Sequence, residues 1–429
     1  MHPILLINKT LNMQYKLFYH TCFLLLCIGL FAGCTKDTIT ESYSFFKPVY
    51  KTKTEVRNNT KSSAAIAVTN PGKLFVKGNY IFLNEVNKGV HIIDFSNPAL
   101  PVNIGFVNIP GCVDVAVRGN YLYADCFTDL VTIDISNPLN VVVKQFMDGV
   151  FPHRLYSNGF VADTNLIITD WVRVDTIIKR SLSDNSFYGR TDILLSTSGP
   201  AAASNSAAVT NGVGGSMARF GLMGERLYTV SWQDLKVFNT SNAAVPAYVK
   251  TIQLNQGDIE TIFPYKDKLF IGSQSGMFIY NAINADNPVK ISQFTHARAC
   301  DPVIADDNHA YITLRSNSIC AGFLNQLDVV NISTITAPQL VKSYPLSGPL
   351  GLSKDGNLLL VCDGKEGLKI FDATNANNIT PLKQITGIET YDVIAMNGLA
   401  ITVTKDGLYF INYSNPATAA VVGKISINK

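Results

Sequence analysis

The sequence predicts an all-β protein, a β-propeller of four-stranded blades, and three observations carry that prediction. First, a short apolar strand, a polar turn and a second apolar strand ending in Asp or Asn recur about every 41 residues. A period of this size in a unit made only of strands marks a radially repeated β-sheet. Second, several of these strands are apolar on both faces, which suits sheets stacked between neighbouring sheets. Third, the chain is 47% hydrophobic and only 16% charged over 429 residues, enough for one large core and with little left over for a second catalytic domain.

In chain order the copies read NYIFLNEVNKGVHIIDFSNPALP from Asn79, NYLYADCFTDLVTIDISNPLN from Asn120, RLYTVSWQDLKVFNTSNAAVP from Arg226, KLFIGSQSGMFIYNAINADNP from Lys268, one from His309, NLLLVCDGKEGLKIFDATNANN from Asn357 and GLAITVTKDGLYFINYSNPAT from Gly398. These anchors are 41, 106, 42, 41, 48 and 41 residues apart. NLIITDWVRV at Asn165 fits the long interval as a hidden copy, so eight blades are expected, or seven if that copy forms none. Within a copy the second set of strands would be VDVAVRG, YLYADC, LVTIDIS and VVVKQFMDG, punctuated at Gly119-Asn120 and Asn137-Pro138. The first copy has its own inner strand in GKLFVKG and the last its own outer strand in AVVGKISI, so the ring need not borrow a strand across its termini. The propeller is expected over 63–429, with a Ser-, Ala- and Gly-rich insertion at about 181–216 that should be mobile. Two readings of that insertion stand, a tolerated loop or a lid.

The N-terminus carries an apolar run, CFLLLCIGLFA, from Cys22 to Ala32, preceded by Lys9 and Lys16. It is short for a permanent span and reads as a secretory signal over 1–33, starting at Met1 or Met13. The run ends in FAGC, with Ala32 and Gly33 before Cys34, which resembles the lipidated cysteine of bacterial lipoproteins. Acylation there would anchor the chain to a membrane, with 34–62 as the tether. Without residues 1–33, 33 basic residues face 32 acidic ones, which offers no electrostatic case for nucleic acid. Export permits disulfides. Cys300 and Cys320 fall at strand ends that meet on one face of a blade and are the expected pair. Cys112 and Cys126 lie across the Gly119-Asn120 turn, bridged or free, and Cys362 reads as a small core residue.

The pieces VHIIDFSNP, LVTIDISNP, LKVFNTSN, LDVVNIST, LKIFDATN and LYFINYSNP resemble the LVIVD repeat of exported bacterial propellers over roughly 70–425. Combined with the lipoprotein signal, the chain is similar to Bacteroidetes-type lipoproteins. The resemblance implies an outer-membrane lipoprotein facing the periplasm or the cell surface, a membrane partner through lipid, and no particular activity. Lys36-Asp37 partly matches the tract that directs such proteins to the surface.

No catalytic, cofactor or metal motif emerges. The histidines, His2, His20, His91, His153, His296 and His309, form no HxH or HExxH pair, and there is no GxSxG elbow or phosphate-binding loop. NGVGGS at 211–216 reads as flexible loop. His91, between apolar neighbours in a strand, reads as a structural histidine. The remaining functional signal is geometric. Entries to inner strands carry Asp114, Glu260, Asp301 and Asp392, and exits of second strands carry Glu85, Asp125, Asp170 and Arg315. His153 and Arg154 precede the inner strand of the third copy, and Trp171 and Arg173 extend its second strand. These should share one face around the channel. The acids that recur there also fit a structural role, accepting backbone N–H bonds from their own turns; the residues that break the repeat, His153, Arg154, Trp171, Arg173 and Arg315, are the better binding candidates.

Two functions follow. One is a monomeric, non-enzymatic binding or assembly module for a glycan, peptide or envelope protein. The alternative is a hydrolase or lyase on an extracellular glycan or similar substrate, built from an acid such as Asp301 with His153 or Arg154. Open paired carboxylates in a deep mouth would favour the enzyme, and a shallow salt-bridged mouth the module.

Overall fold

The computed structural model describes residues 38–152, 166–181, 213–254, 258–299, 302–316 and 323–427. These fall into two compact units, one drawn from 1–47 and 171–199, the other from 48–170 and 200–429. A two-stranded ribbon pairs Thr38–Thr52 with Leu166–Ser181. Within it Arg173 Nε lies 3.0 Å from Asp175 Oδ1, and Ser44 Oγ donates to the same oxygen at 2.6 Å. No helix among the described residues is long and apolar enough to cross a membrane.

The second unit holds seven blades. Blade 1 runs through Pro71–Lys77, Tyr80–Glu85, Gly89–Asp94 and Val102–Asn108. Blade 2 uses Val115–Arg118, Tyr121–Cys126, Asp129–Asp134 and Val142–Met147. Blade 3 uses Phe220–Met223, Arg226–Ser231, Asp234–Asn239 and Ala247–Gln253. Blade 4 uses Ile259–Tyr265, Lys268–Ser273, Gly276–Asn281 and Val289–Thr295. Blade 5 uses Val303–Ala305, His309–Leu314, Gln326–Asn331 and Gln339–Pro345. Blade 6 uses Leu352–Asp355, Leu358–Cys362, Leu368–Asp372 and Thr380–Ile385. Blade 7 uses Thr390–Met396, Leu399–Thr404, Gly407–Asn412 and Ala420–Ser426. Each is an antiparallel meander, and the first strands of successive blades neighbour one another around the axis.

The eighth blade expected at Asn165 does not form. Leu166–Ser181 pairs with the N-terminal strand instead, and no sheet of four is built between blades 2 and 3 among the described residues. The apolar run LIIT imitates a second strand, but among the described residues no third strand ending in an Asx turn follows it before blade 3.

That turn is what the repeat encodes. In all seven blades the Asp or Asn closing the third strand accepts the backbone N–H two residues on: Asp94, Asp134, Asn239, Asn281, Asn331, Asp372 and Asn412, at 2.8 to 3.0 Å. Such Asx turns satisfy amides that leave the ladder. The outer strand then pairs with a register shift in every blade, for example between Ile92 and Ile93 and between Phe410 and Ile411.

Second and third strands are buried on both faces, as in blade 2 with Leu122, Tyr123, Ala124, Leu130, Val131 and Ile133. Burying so much apolar surface is the main stabilising contribution, at roughly 25 cal/mol per Å². Tyr123 and Tyr228 each donate to a carbonyl of the next blade, Ala243 and Ala285, both at 2.8 Å. The ring closes by apolar packing of blade 7, Ile401, Leu408 and Phe410, on blade 1, Leu74, Ile81 and Leu83, and each blade keeps its own four strands.

The stretch before blade 1 is built into the fold. A five-residue helix, α1 (Lys53–Arg57), opens on a Thr52/Glu55 capping box. Its Lys53 and Arg57 pair with buried Asp129 of blade 2 at 3.0 and 2.6 Å. Lys61–Ser63 then adds antiparallel to the outer strand of blade 1, and Val213–Gly214 adds beside its inner strand, making a six-stranded sheet.

Candidate functional site

One face carries the turns from second to third strands and the links from each blade to the next. Most acids read from the sequence lie on this mouth face, and most already serve the backbone. Asp125 accepts the Val113 and Asp114 amides at 2.7 and 2.8 Å. Glu85 accepts the Thr69 and Asn70 amides at 3.1 and 2.8 Å. Blade 6 repeats the device with Asp363, which accepts from Ser347 and Gly348 at 3.0 and 2.7 Å and from Lys369 Nζ at 2.6 Å. In each case the carboxylate at a second-strand exit ties down the link entering its own blade. His91 and the hydrogen bonds from Thr69 and Asn70 outweigh burial and hold Glu85 down to about 2. His91, packed at a tilt against Phe106, lies 3.1 Å from Glu85 and 3.2 Å from Asn103 Nδ2, so both ring nitrogens are engaged inside the blade.

Asp114 is the centre of a second buried set. Its Oδ2 accepts from Lys73 Nζ at 2.6 Å and from the Arg219 amide at 2.8 Å, and its Oδ1 from the Val115 amide at 2.8 Å. Lys73 is 3% exposed, and burial lowers its ammonium pKa against the pull of Asp114.

The channel is occupied by the chain itself. Val213–Gly214 pairs with Phe75–Val76 of blade 1. Ser216 Oγ then accepts the Leu352 amide of blade 6 at 2.8 Å. Across the ring, the Ala218 carbonyl accepts from Ile262 of blade 4 at 2.5 Å, and Arg219 reaches Asp114 of blade 2. Met217 and Ala218 are buried in one apolar cluster with Tyr228, Ile262, Leu360 and Val393, from blades 3, 4, 6 and 7. The expected flexible loop NGVGGS therefore ends, in its described part, as a plug. Its Gly215 is required by packing, since a Cβ there would stand 1.8 Å from Asp392 Oδ2, and a Cβ on Gly351, at the start of blade 6, would stand 2.0 Å from Asp392 Oδ1.

Asp392 itself sits where the inner strand of blade 7 shifts register between Thr390 and Asp392, a bulge that aims its side chain at the plug. It is 3% exposed, and neither carboxyl oxygen has a hydrogen bond of normal geometry. Burial pushes its pKa up to about 7, opposed by the nearby Val393 and Ser216 amides and by Lys73.

What remains open at the mouth lies over blades 3 to 5. Trp232, in the turn after the second strand of blade 3, is 52% exposed. Its carbonyl accepts the Ile259 amide of blade 4, beside Glu260. Gln274 Nε2 donates to Glu260 Oε1 at 3.0 Å, and Arg298 donates to Gln274 Oε1 at 2.8 Å. Arg315 ends the second strand of blade 5, and Phe323 in the following turn is 96% exposed. Elsewhere the mouth is salt-bridged, with Lys405 on Glu389 and Lys424 on Asp406, both at 2.7 Å.

The structure thus brings Asp114, Asp125, Glu260, Arg315 and Asp392 to the propeller's mouth and channel. Asp170, Trp171 and Arg173 lie on Leu166–Ser181, in no blade. His153, Arg154 and Asp301 fall outside the described residues, as do Cys34 and the expected Cys300–Cys320 pair. Cys112, Cys126 and Cys362 are buried. Among the described residues no group of three or more His, Cys, Asp or Glu side chains is placed to hold a metal. Trp232, Gln274 and Arg298 escape sequence reasoning because their copies of the repeat are regular, and an aromatic in that turn is no signal by itself, since blade 2 carries Phe127 there, buried.

The sequence matches the LVIVD repeat family over residues 72–109, 112–148 and 299–345. No curated protein matches the chain. Among solved structures, a protein from Lactobacillus plantarum superposes with a TM-score of 0.54 at 12% identity, covering 83% of this chain and 97% of its own. The periplasmic gluconolactonase of Pseudomonas aeruginosa gives 0.52 at 11% identity, covering 86% and 96%. The computationally designed Ika8 protein gives 0.50 at 6%, covering 85% and 91%. At these identities the likeness carries the fold alone.

Proposed function

We propose that this β-propeller, which carries LVIVD repeats, is a non-enzymatic binding module held at a bacterial envelope by lipid on Cys34, and that it meets a glycan on its mouth face over blades 3 and 4. The observation behind this reading is the exposed Trp232 beside the Glu260–Gln274–Arg298 chain. An indole face stacks on the apolar face of a sugar ring, while a carboxylate, an amide and a guanidinium bond its hydroxyls. A hydrolytic reading draws on the gluconolactonase that shares the fold. It needs a pair of acids open to substrate, whereas Glu85, Asp114, Asp125 and Asp363 are committed to amides and lysines.

The test is a glycan array with an envelope pull-down, using the chain from residue 35 onward. Trp232→Ala is expected to weaken glycan binding by about tenfold, the equivalent of about 1.4 kcal/mol for a lost aromatic anchor. Equal binding by wild type and Trp232→Ala would remove the proposed face, and capture of an envelope protein unaffected by either would replace the ligand class. Variants at Arg154, Trp171 and Arg315 test the residues read from the sequence in the same assay.

A further inference from the structure

We propose that the plug Val213–Arg219 is a gate to the propeller channel and that Asp392 is its latch, seated when the carboxyl carries a proton and released when it ionises. The geometry distinguishes this segment from ordinary core. It is held by few polar contacts: a two-residue strand pairing, the Ser216 hydroxyl, the Ala218 carbonyl and, at the end that runs on into blade 3, the Arg219 amide and its carbonyl, which accepts the Val230 amide at 2.8 Å. Against its middle lies a carboxyl whose two oxygens have no hydrogen bond of normal geometry and which is closed in by Gly215 on the plug and Gly351 on blade 6.

The groups that face Asp392 come from four elements. Blade 1 presents Lys73, blade 6 presents the Cys362 thiol, the plug presents the Ser216 amide, and its own strand presents the Val393 amide. Lys73 is the one cation among these, and it is bound to Asp114 at 2.6 Å. A negative charge on Asp392 therefore arrives without a cation of its own in a site closed to water, and a buried unpaired charge is strongly unfavourable. The cheapest relief is to lift the glycine-rich segment and let water in, because the strands around it belong to complete blades.

Cys362 reports the event, since it is fully buried in the wall beside Asp392. The full-length mature chain would be treated with iodoacetamide at pH 8 and modification at Cys362, Cys112 and Cys126 followed by peptide mass spectrometry. The ratio of Cys362 to Cys126 labelling is expected to be severalfold higher in wild type than in Asp392→Asn, where no charge can form against the plug. Equal ratios would overturn the proposal. Should Asp392→Asn fail to fold, dilute peroxide on the wild type decides: oxidation of buried Met217 on the plug, relative to buried Met277 in blade 4, should rise between pH 5.5 and pH 8. An unchanged ratio would overturn the gate.

Discussion

Asp114→Ala is expected to destabilise the propeller by about 3–5 kcal/mol, the cost of stranding one member of a buried ion pair. The carboxylate holds three donors at once, Lys73 Nζ at 2.6 Å and the Arg219 and Val115 amides at 2.8 Å. Its removal leaves a cation with 3% exposure and no route to water, and frees one end of the plug. Urea unfolding of the chain from residue 35 onward measures the loss. Replacing the pair together, as Lys73→Met with Asp114→Leu, should recover much of it, because two apolar groups need no partner. A loss below about 1 kcal/mol in the single variant would mean that Lys73 reaches solvent, as exposed pairs do.

Stability should also fall as pH rises from about 4 to 7, and Asp392 should account for the fall. The sign follows from the folded pKa lying above the unfolded one: about 7 against 3.8. Between those values the native state holds a proton that the unfolded chain has released. The stabilisation is therefore complete below about pH 4 and spent above about 7, with an upper bound of about 4 kcal/mol. Glu85, held down to about 2, acts in the opposite sense and at lower pH, losing its contribution as pH falls below 4.5. Subtracting the Asp392→Asn profile from the wild-type profile isolates the first effect. A difference that stays constant from pH 4 to 8 would show that water already reaches the carboxyl.

The ring was legible because one turn is written seven times. From Asp94 to Asn412 the same Asx turn closes the third strand, and it needs a short acceptor at that position whatever the neighbouring blades contain. The count of blades was less legible. LIITDW at 166–171 has the hydrophobic pattern of a second strand, and only its pairing with Thr38–Thr52, about 120 residues away in sequence, assigns it elsewhere.

At the mouth, the positions of Asp114, Asp125, Glu260 and Asp392 follow from strand entries and exits, but their roles do not. A carboxylate that binds two amides and one that binds a ligand look alike in sequence. Gly215 is the sharper case. Glycine-rich composition suits a mobile loop and a tightly packed crossing equally well, and the residue that decides between them, Asp392, lies 177 positions further on. Trp232 is hidden for the opposite reason, since nothing in its regular copy of the repeat marks the turn as exposed.

The central claim is that the chain fills its own channel, leaving the exposed mouth over blades 3 and 4 as the place to bind. Hydrogen exchange of the chain from residue 35 onward at pH 5, resolved to the peptide 213–219, tests it most directly. Protection within the Val213–Gly214 pairing and at the Arg219 amide comparable to that of the blade 3 strand Arg226–Ser231 is the result this structure requires. Exchange of both at the rate of unstructured amides would mean an open channel, and the carboxylates around it would again be candidates for chemistry.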